Sequence, residues 1–258
     1  MWDLYDTLAS DIPSDGVVNS AVITPIWTVS STSFGAGLAM TPPISYKPSS
    51  LRGKIQGKST GEIIKYLKSW DQYESAVALS VMNSYYNQPD RIPKIPEILI
   101  RDAQDRPGVF GGFDELLKGK KVTMIGHGPY VDYLPEICNF TCLERLPSQG
   151  DLPDPACEYI LPEQDFVFIT ATALENKTMP RLLELSKNAF TAIWGPSTTL
   201  TEKYFSYGAD ALIGQIVVSH RDVLRIAGEG GLFRDMSEYT KSVMWFRDTS
   251  MAEYIRNK

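Results

Sequence analysis

The chain has 258 residues, 43% of them hydrophobic and 22% charged, with a formal net charge of −6. That length accommodates one large α/β domain or two modest ones, and the balance of residue types excludes the disordered and fibrous classes. An acidic chain offers no basic stripe for a polyanion, so no nucleic-acid partner is expected, and with no apolar run near the roughly 20 residues of a membrane helix, no membrane role is expected either.

The opening Met1-Trp2-Asp3-Leu4-Tyr5-Asp6 lacks the basic-then-apolar order of a signal peptide. Cys138, Cys142 and Cys157 are an odd number of thiols, so the expectation is a cytoplasmic protein without a disulfide. Gly16 to Met40 is rich in Val, Ile, Thr and Ser, which predicts two or three short strands in an antiparallel meander. Ser59-Thr60-Gly61-Glu62 fits a capping box ahead of Ile63 and Ile64, and Ser69-Trp70-Asp71-Gln72 fits a second, ahead of a helix to about Asn87.

Prolines at 89, 93, 96 and 107 with Gly111-Gly112 mark an inter-domain crossing, with a boundary near Ile100. Beyond it, Lys121 to Ile125, Asp165 to Ile169 and Phe190 to Trp194 are short apolar, β-branched runs that read as strands buried on both faces of a parallel sheet. Weaker strands are expected at Phe140 to Leu143 and Ala209 to Ile213, making about five. The helical stretches Met179 to Asn188, Glu202 to Tyr207 and Ser219 to Ala227 alternate with them, and the tail from Asp235 carries apolar residues, Met244, Trp245, Met251 and Ile255, at helical spacing. The expected class is α/β: a small α+β domain over residues 1–100, then a Rossmann-like, doubly wound parallel-sheet domain over 101–258.

In open parallel sheets ligands bind beyond the carboxyl ends of the strands. The candidates there are Gly126-His127-Gly128-Pro129, Thr170 and Thr172 with Asn176, Gly195-Pro196-Ser197-Thr198, and Gly214-Gln215. Gly126-x-Gly128 after a strand, with Glu144 ending the next, begins a dinucleotide fingerprint, but Val131 stands where a third small residue belongs. His127 suits proton transfer, metal ligation or a plain loop position. Cys138, Cys142 and Cys157 lack the second pair of a zinc motif and read better as small packed hydrophobes. Ser197 and Thr198 suit an anion or simple capping, and Glu229 sits among the glycines Gly228, Gly230 and Gly231 at a helix end. No hydrolase triad order, His-Glu-x-x-His or Walker motif is present, and no catalytic residue is assigned.

Taken together, Ser33-Phe34-Gly35-Ala36-Gly37-Leu38-Ala39, Ala76-Val77-Ala78-Leu79 with Asn83 and Asn87, Thr170-Ala171-Thr172-Ala173-Leu174 and Gly195-Pro196-Ser197-Thr198 resemble a domain-of-unknown-function family described as "putative heavy-metal chelatases". The resemblance implies an enolase-like N-terminal domain, a Rossmann-like C-terminal domain and a site in the cleft between them. By position it draws in Gly35, Asn83, Gly126, Thr170, Gly195, Ser197, Thr198 and Gly230. It implies a small-molecule or metal-chelate ligand and a transition metal or metal chelate as cofactor. Metal ligands are not fixed by it, though Asp132 and Glu136 can assist a histidine. Three readings remain open at this point: binding of a small anionic or metal-chelating ligand for metal or cofactor handling, an enzyme using a nicotinamide or adenosyl cofactor, and a non-catalytic regulatory module. A homo-oligomer is compatible with each.

Overall fold

The computed structural model describes residues 2–43, 49–102, 112–128, 131–148 and 150–257. Pro107, Gly111 and Pro129, singled out above, lie outside them. The chain opens with helix α1 (Trp2–Ala9), followed by a meander of β1 (Val18–Ile23), β2 (Trp27–Thr32) and β3 (Ala36–Met40), antiparallel in the order β1-β2-β3. The short helix α2 (Thr60–Ile63) starts at Ser59, whose side chain forms the expected capping box with Glu62. In α3 (Gln72–Tyr86) the cap is Asp71 rather than Ser69, because Asp71 accepts from the N–H groups of Tyr73 and Glu74. Ser69 instead donates its hydroxyl to Glu74 at 2.6 Å.

The second sheet begins with β4 (Ile98–Asp102), so Ile100 lies in mid-strand. After α4 (Asp114–Leu117) come β5 (Lys121–Ile125), the one-turn α5 (Leu134–Ile137), β6 (Asn139–Glu144), the two-residue β7 (Leu152–Pro153) and α6 (Cys157–Ile160). Then follow β8 (Phe166–Thr170), α7 (Met179–Leu185), β9 (Phe190–Trp194), a 3-10 helix at Glu202–Tyr207, β10 (Ala211–Val217) and α8 (His220–Gly228). The tail is not wholly helical: Met244 and Trp245 lie in β11 (Thr240–Phe246), and only α9 (Thr249–Arg256) continues as a helix. A 3.6-residue pattern and a strand buried on both faces look alike over seven residues, which explains the difference.

The sheet order is β4-β11-β10-β9-β8-β5-β6-β7, parallel from β10 through β7, with β11 antiparallel to both neighbours. The chain winds outward from β5 through β6 to β7, then returns to the other side of β5 and continues through β8, β9 and β10. The switch point of this doubly wound sheet therefore lies between β5 and β8. Alternate residues of the central strands enter opposite cores: Val167, Ile169, Ile193 and Leu212 one, Phe168, Ala192, Ala211 and Ile213 the other. This two-sided burial is why the strands read as continuous apolar runs.

The first of those cores also takes in Leu4, Leu8 and Met82, so it joins the N-terminal elements to the sheet. α3 is buried along most of its surface, and its small residues allow close approach: a Cβ on Gly37 of β3 would lie 2.1 Å from the Ser80 carbonyl oxygen. Where α3 meets β3 and the loop after β9, Asn83 donates to the carbonyls of Leu38 and Ser197 at 2.8 and 2.9 Å and accepts from Thr199. One turn on, Asn87 donates to the carbonyls of Thr198 and Gln215 and accepts from the Leu200 N–H. The N-terminal unit is thereby fastened over the carboxyl ends of β9 and β10.

Candidate metal centre

At the other side of the switch point, Gly126 ends β5 in a left-handed conformation, with φ +87°. A Cβ there would meet the Thr170 methyl at 2.9 Å, so the loop is pressed against the end of β8. Glu144, at the end of β6, accepts from the N–H groups of His127 at 2.8 Å and Arg145 at 2.9 Å. This anchors the backbone at His127 to the end of β6. The ring turns toward the segment that enters β7, where its Nδ1 lies 2.9 Å from Asp151 Oδ1. The second oxygen of Asp151 accepts from the Ser148 N–H at 3.0 Å.

Cys142, in the buried part of β6, completes the cluster. One ligand atom each from His127, Cys142 and Asp151 lie within 4.8 Å of one another, and among the described residues this is the one such group of three. Burial pushes the Cys142 thiol up to about 12, helped by its hydrogen bond to Asp151 and by the charges of Asp151 and Glu144. Burial also pulls Asp151 upward, but hydrogen bonds from the His127 ring, the Ser148 N–H and the Cys142 thiol outweigh it and hold the carboxyl below its ordinary range. Asp151 is thus a carboxylate onto which two donors of different chemistry converge. A thiol held protonated in this way is not an activated nucleophile.

The other sequence candidates fall into separate places. Thr170 and Thr172 pair their hydroxyls at 3.0 Å at the end of β8, beside Gly126. Asn176 uses its side-chain oxygen on the N–H and hydroxyl of Thr178, ahead of α7. Gly195 and Pro196 are half-buried after β9, whereas Asn83, Ser197 and Thr198 are buried in the seam beneath α3, and Gly35 is buried against Gln88. Ser197 accepts there from the Met40 N–H at 2.8 Å. Glu229 is exposed and paired with Arg225 at 3.0 Å, while Gly230, with φ +80°, follows the C-terminus of α8. Gly128 is covered by Trp194, whose ring would lie 2.4 Å from a Cβ, and Val131 is buried in the core. Among the described residues of this loop, Glu144 is spent on backbone N–H groups and the helix after β5 is a single turn, unlike the long helix start of a dinucleotide fingerprint.

Sequence reasoning placed His127 at a strand tip but treated Cys142 as packing and passed over Asp151. Cys142 is indeed buried, and nothing in the spacing of 127, 142 and 151 indicates that three loops and strands converge. All three cysteines are free thiols.

Residues 111–246 match the family model DUF364 and residues 5–86 the model DUF4213, both described as "Putative heavy-metal chelation". The chain belongs to this family. A DUF364 protein of unknown function from Desulfitobacterium hafniense DCB-2, known by crystal structure, is 33% identical with a TM-score of 0.85, covering 95% of this chain and 98% of that one. A second, from Pyrococcus horikoshii, is 19% identical with a TM-score of 0.77, covering 94% and 99%, and shares the fold. A protein of Methanocaldococcus jannaschii described as uncharacterized is 29% identical over 224 residues, 80% of this chain and 81% of its own length. Among the described residues no helix is long and apolar enough to cross a membrane.

Proposed function

We propose that the protein binds a thiophilic divalent metal ion, free or brought as a small-molecule chelate, through His127, Cys142 and Asp151, and that it serves metal handling. The convergence of imidazole, thiol and carboxylate within 4.8 Å carries this reading. Mixed nitrogen, sulfur and oxygen donors suit zinc, cobalt or a softer dication and not magnesium or calcium, which take oxygen. The site lies at the carboxyl ends of β5 and β6, where ligands of such sheets bind, and the family description points to the same chemistry.

The residues fit such an ion chemically. The Asp151 carboxylate faces a thiol and an imidazole, and a dication bound there would release the Cys142 thiol proton to solvent and leave the imidazole proton on Nε2. The test is metal analysis after stripping with a chelator and reloading with zinc or cobalt. One equivalent is expected, with a sulfur-to-cobalt charge-transfer band. Cys142→Ser, Asp151→Asn and His127→Ala should each weaken binding by at least about 100-fold while far-ultraviolet circular dichroism stays unchanged. Equal uptake by all three variants would exclude the site.

A further inference from the structure

The same residues bear on what reaches the metal. The cluster provides three donors, and the described residues add no fourth histidine, cysteine, aspartate or glutamate to it. Dications of this class, held by protein donors, take four ligands in closed structural sites, and three plus an exchangeable one in open sites. Burial around the cluster is one-sided. Cys142 is 4% exposed and the Asp151 side chain 3%, while the His127 side chain is 39% exposed and its Nε2 faces the solvated Asp132 carboxylate at 3.8 Å. A cation among the three donors has protein behind it and solvent on the His127 side.

We infer that the fourth position is filled from outside the chain by the sulfur of a small thiol, so that the protein holds the metal as a ternary complex with that thiol. This rests on the metal reading above. The choice of donor follows from charge. The Cys142 thiolate and the Asp151 carboxylate already neutralise a dication, and the rim adds Asp132 and Glu144, while Arg145 is tied to Asp154 at 3.1 Å. A polycarboxylate chelator brings two or more further negative charges there, whereas a thiolate brings one and is the softer donor for an ion already held by Cys142. On binding, the incoming thiol gives its proton to solvent and its sulfur replaces the water on the metal.

The experiment uses the full chain loaded with one equivalent of cobalt(II), followed by visible and near-ultraviolet absorption during titration with 2-mercaptoethanol and, separately, citrate. The expected result is a one-to-one shift of the d–d bands and a stronger sulfur-to-cobalt band with the thiol, cobalt still eluting with the protein, and no new species with citrate. An unchanged spectrum at saturating thiol, or cobalt that simply leaves with it, overturns the open position. A ternary complex with citrate in place of the thiol overturns the donor class. Absence of any cobalt band in the thiol-free protein overturns the metal reading itself, and this inference with it.

Discussion

Lys177 shows how much a single residue can be constrained away from the candidate site. It is the one non-glycine among the described residues with a left-handed backbone, φ 72°, a conformation that costs a side-chain-bearing residue roughly 1–2 kcal/mol. Its ammonium reaches Ser75 of α3 at 2.8 Å and the Glu175 carbonyl at 2.6 Å. Burial pushes the amine down to about 8 against the opposing pull of the Glu175 charge, and burial raises the Glu175 carboxyl well above its ordinary value, leaving its Oε1 without a hydrogen-bond partner. A depressed amine pKa in the folded state means that the unfolded chain binds the extra proton between about 8 and 10.5, so the Lys177 contribution rises with pH across that window. Below it the penalty, roughly 3 kcal/mol, is fully present. Lys177→Met should therefore be more stable at pH 7, by about 1–2 kcal/mol after the two lost hydrogen bonds, and should lose the upward slope from pH 8 to 10.5 in urea unfolding. A variant less stable at pH 7 would show that the two hydrogen bonds and the attraction to Glu175 outweigh burial. The sequence assigned no role to Lys177 or Glu175, because the Lys177 ammonium meets Ser75 of α3 and the Tyr5 ring of α1, more than 100 residues away.

At the scale of elements, α3 explains motifs that the sequence had suggested for a ligand. An amide late in an apolar helix must find partners, and Asn83 finds three inside the protein, with Asn87 repeating the pattern one turn later. Asn83→Ala takes a hydrogen bond from two carbonyls and a hydroxyl in a buried seam, at about 1–3 kcal/mol for each group left unpaired. The expected loss is at least about 3 kcal/mol in chemical denaturation, with cobalt binding at Cys142 retained in the folded fraction. Gly37→Ala should be destabilising by a further route, because its methyl would lie 2.1 Å from one backbone atom of α3 and 2.2 Å from another, so the sheet and helix must part. If Asn83→Ala instead left stability unchanged and abolished metal uptake, the seam would be a binding surface after all. The capping box at Ser59, the meander and the strands at 121–125 and 190–194 were legible, since each depends on neighbours in sequence. β4, β7 and β11 were not, because two are edge strands of ordinary composition and the third has ambiguous periodicity.

For the whole molecule, one apolar cluster runs from Leu4 and Met82 through Ile169 and Leu212 to Trp245. No cut of the chain separates this core without exposing part of it, so the two sheets should unfold together. Tryptophan fluorescence and far-ultraviolet circular dichroism are expected to report coincident urea transitions. Two resolved transitions would mean that the seam under α3 is weaker than its hydrogen bonds suggest.

The sequence by itself determined what depends on neighbouring residues: an α/β chain, a meander followed by alternating strands and helices, and a histidine between two glycines at the tip of a buried strand. Only the tertiary structure decided which of the loop residues work together. It fastened Asn83, Ser197 and Thr198 into a seam and set His127 beside Cys142 and Asp151, because the sheet order places β5, β6 and β7 side by side while their ligand atoms are separated by 15 and 9 positions in the chain. Donor geometry is a matter of distance in space, and local pattern carries no record of it.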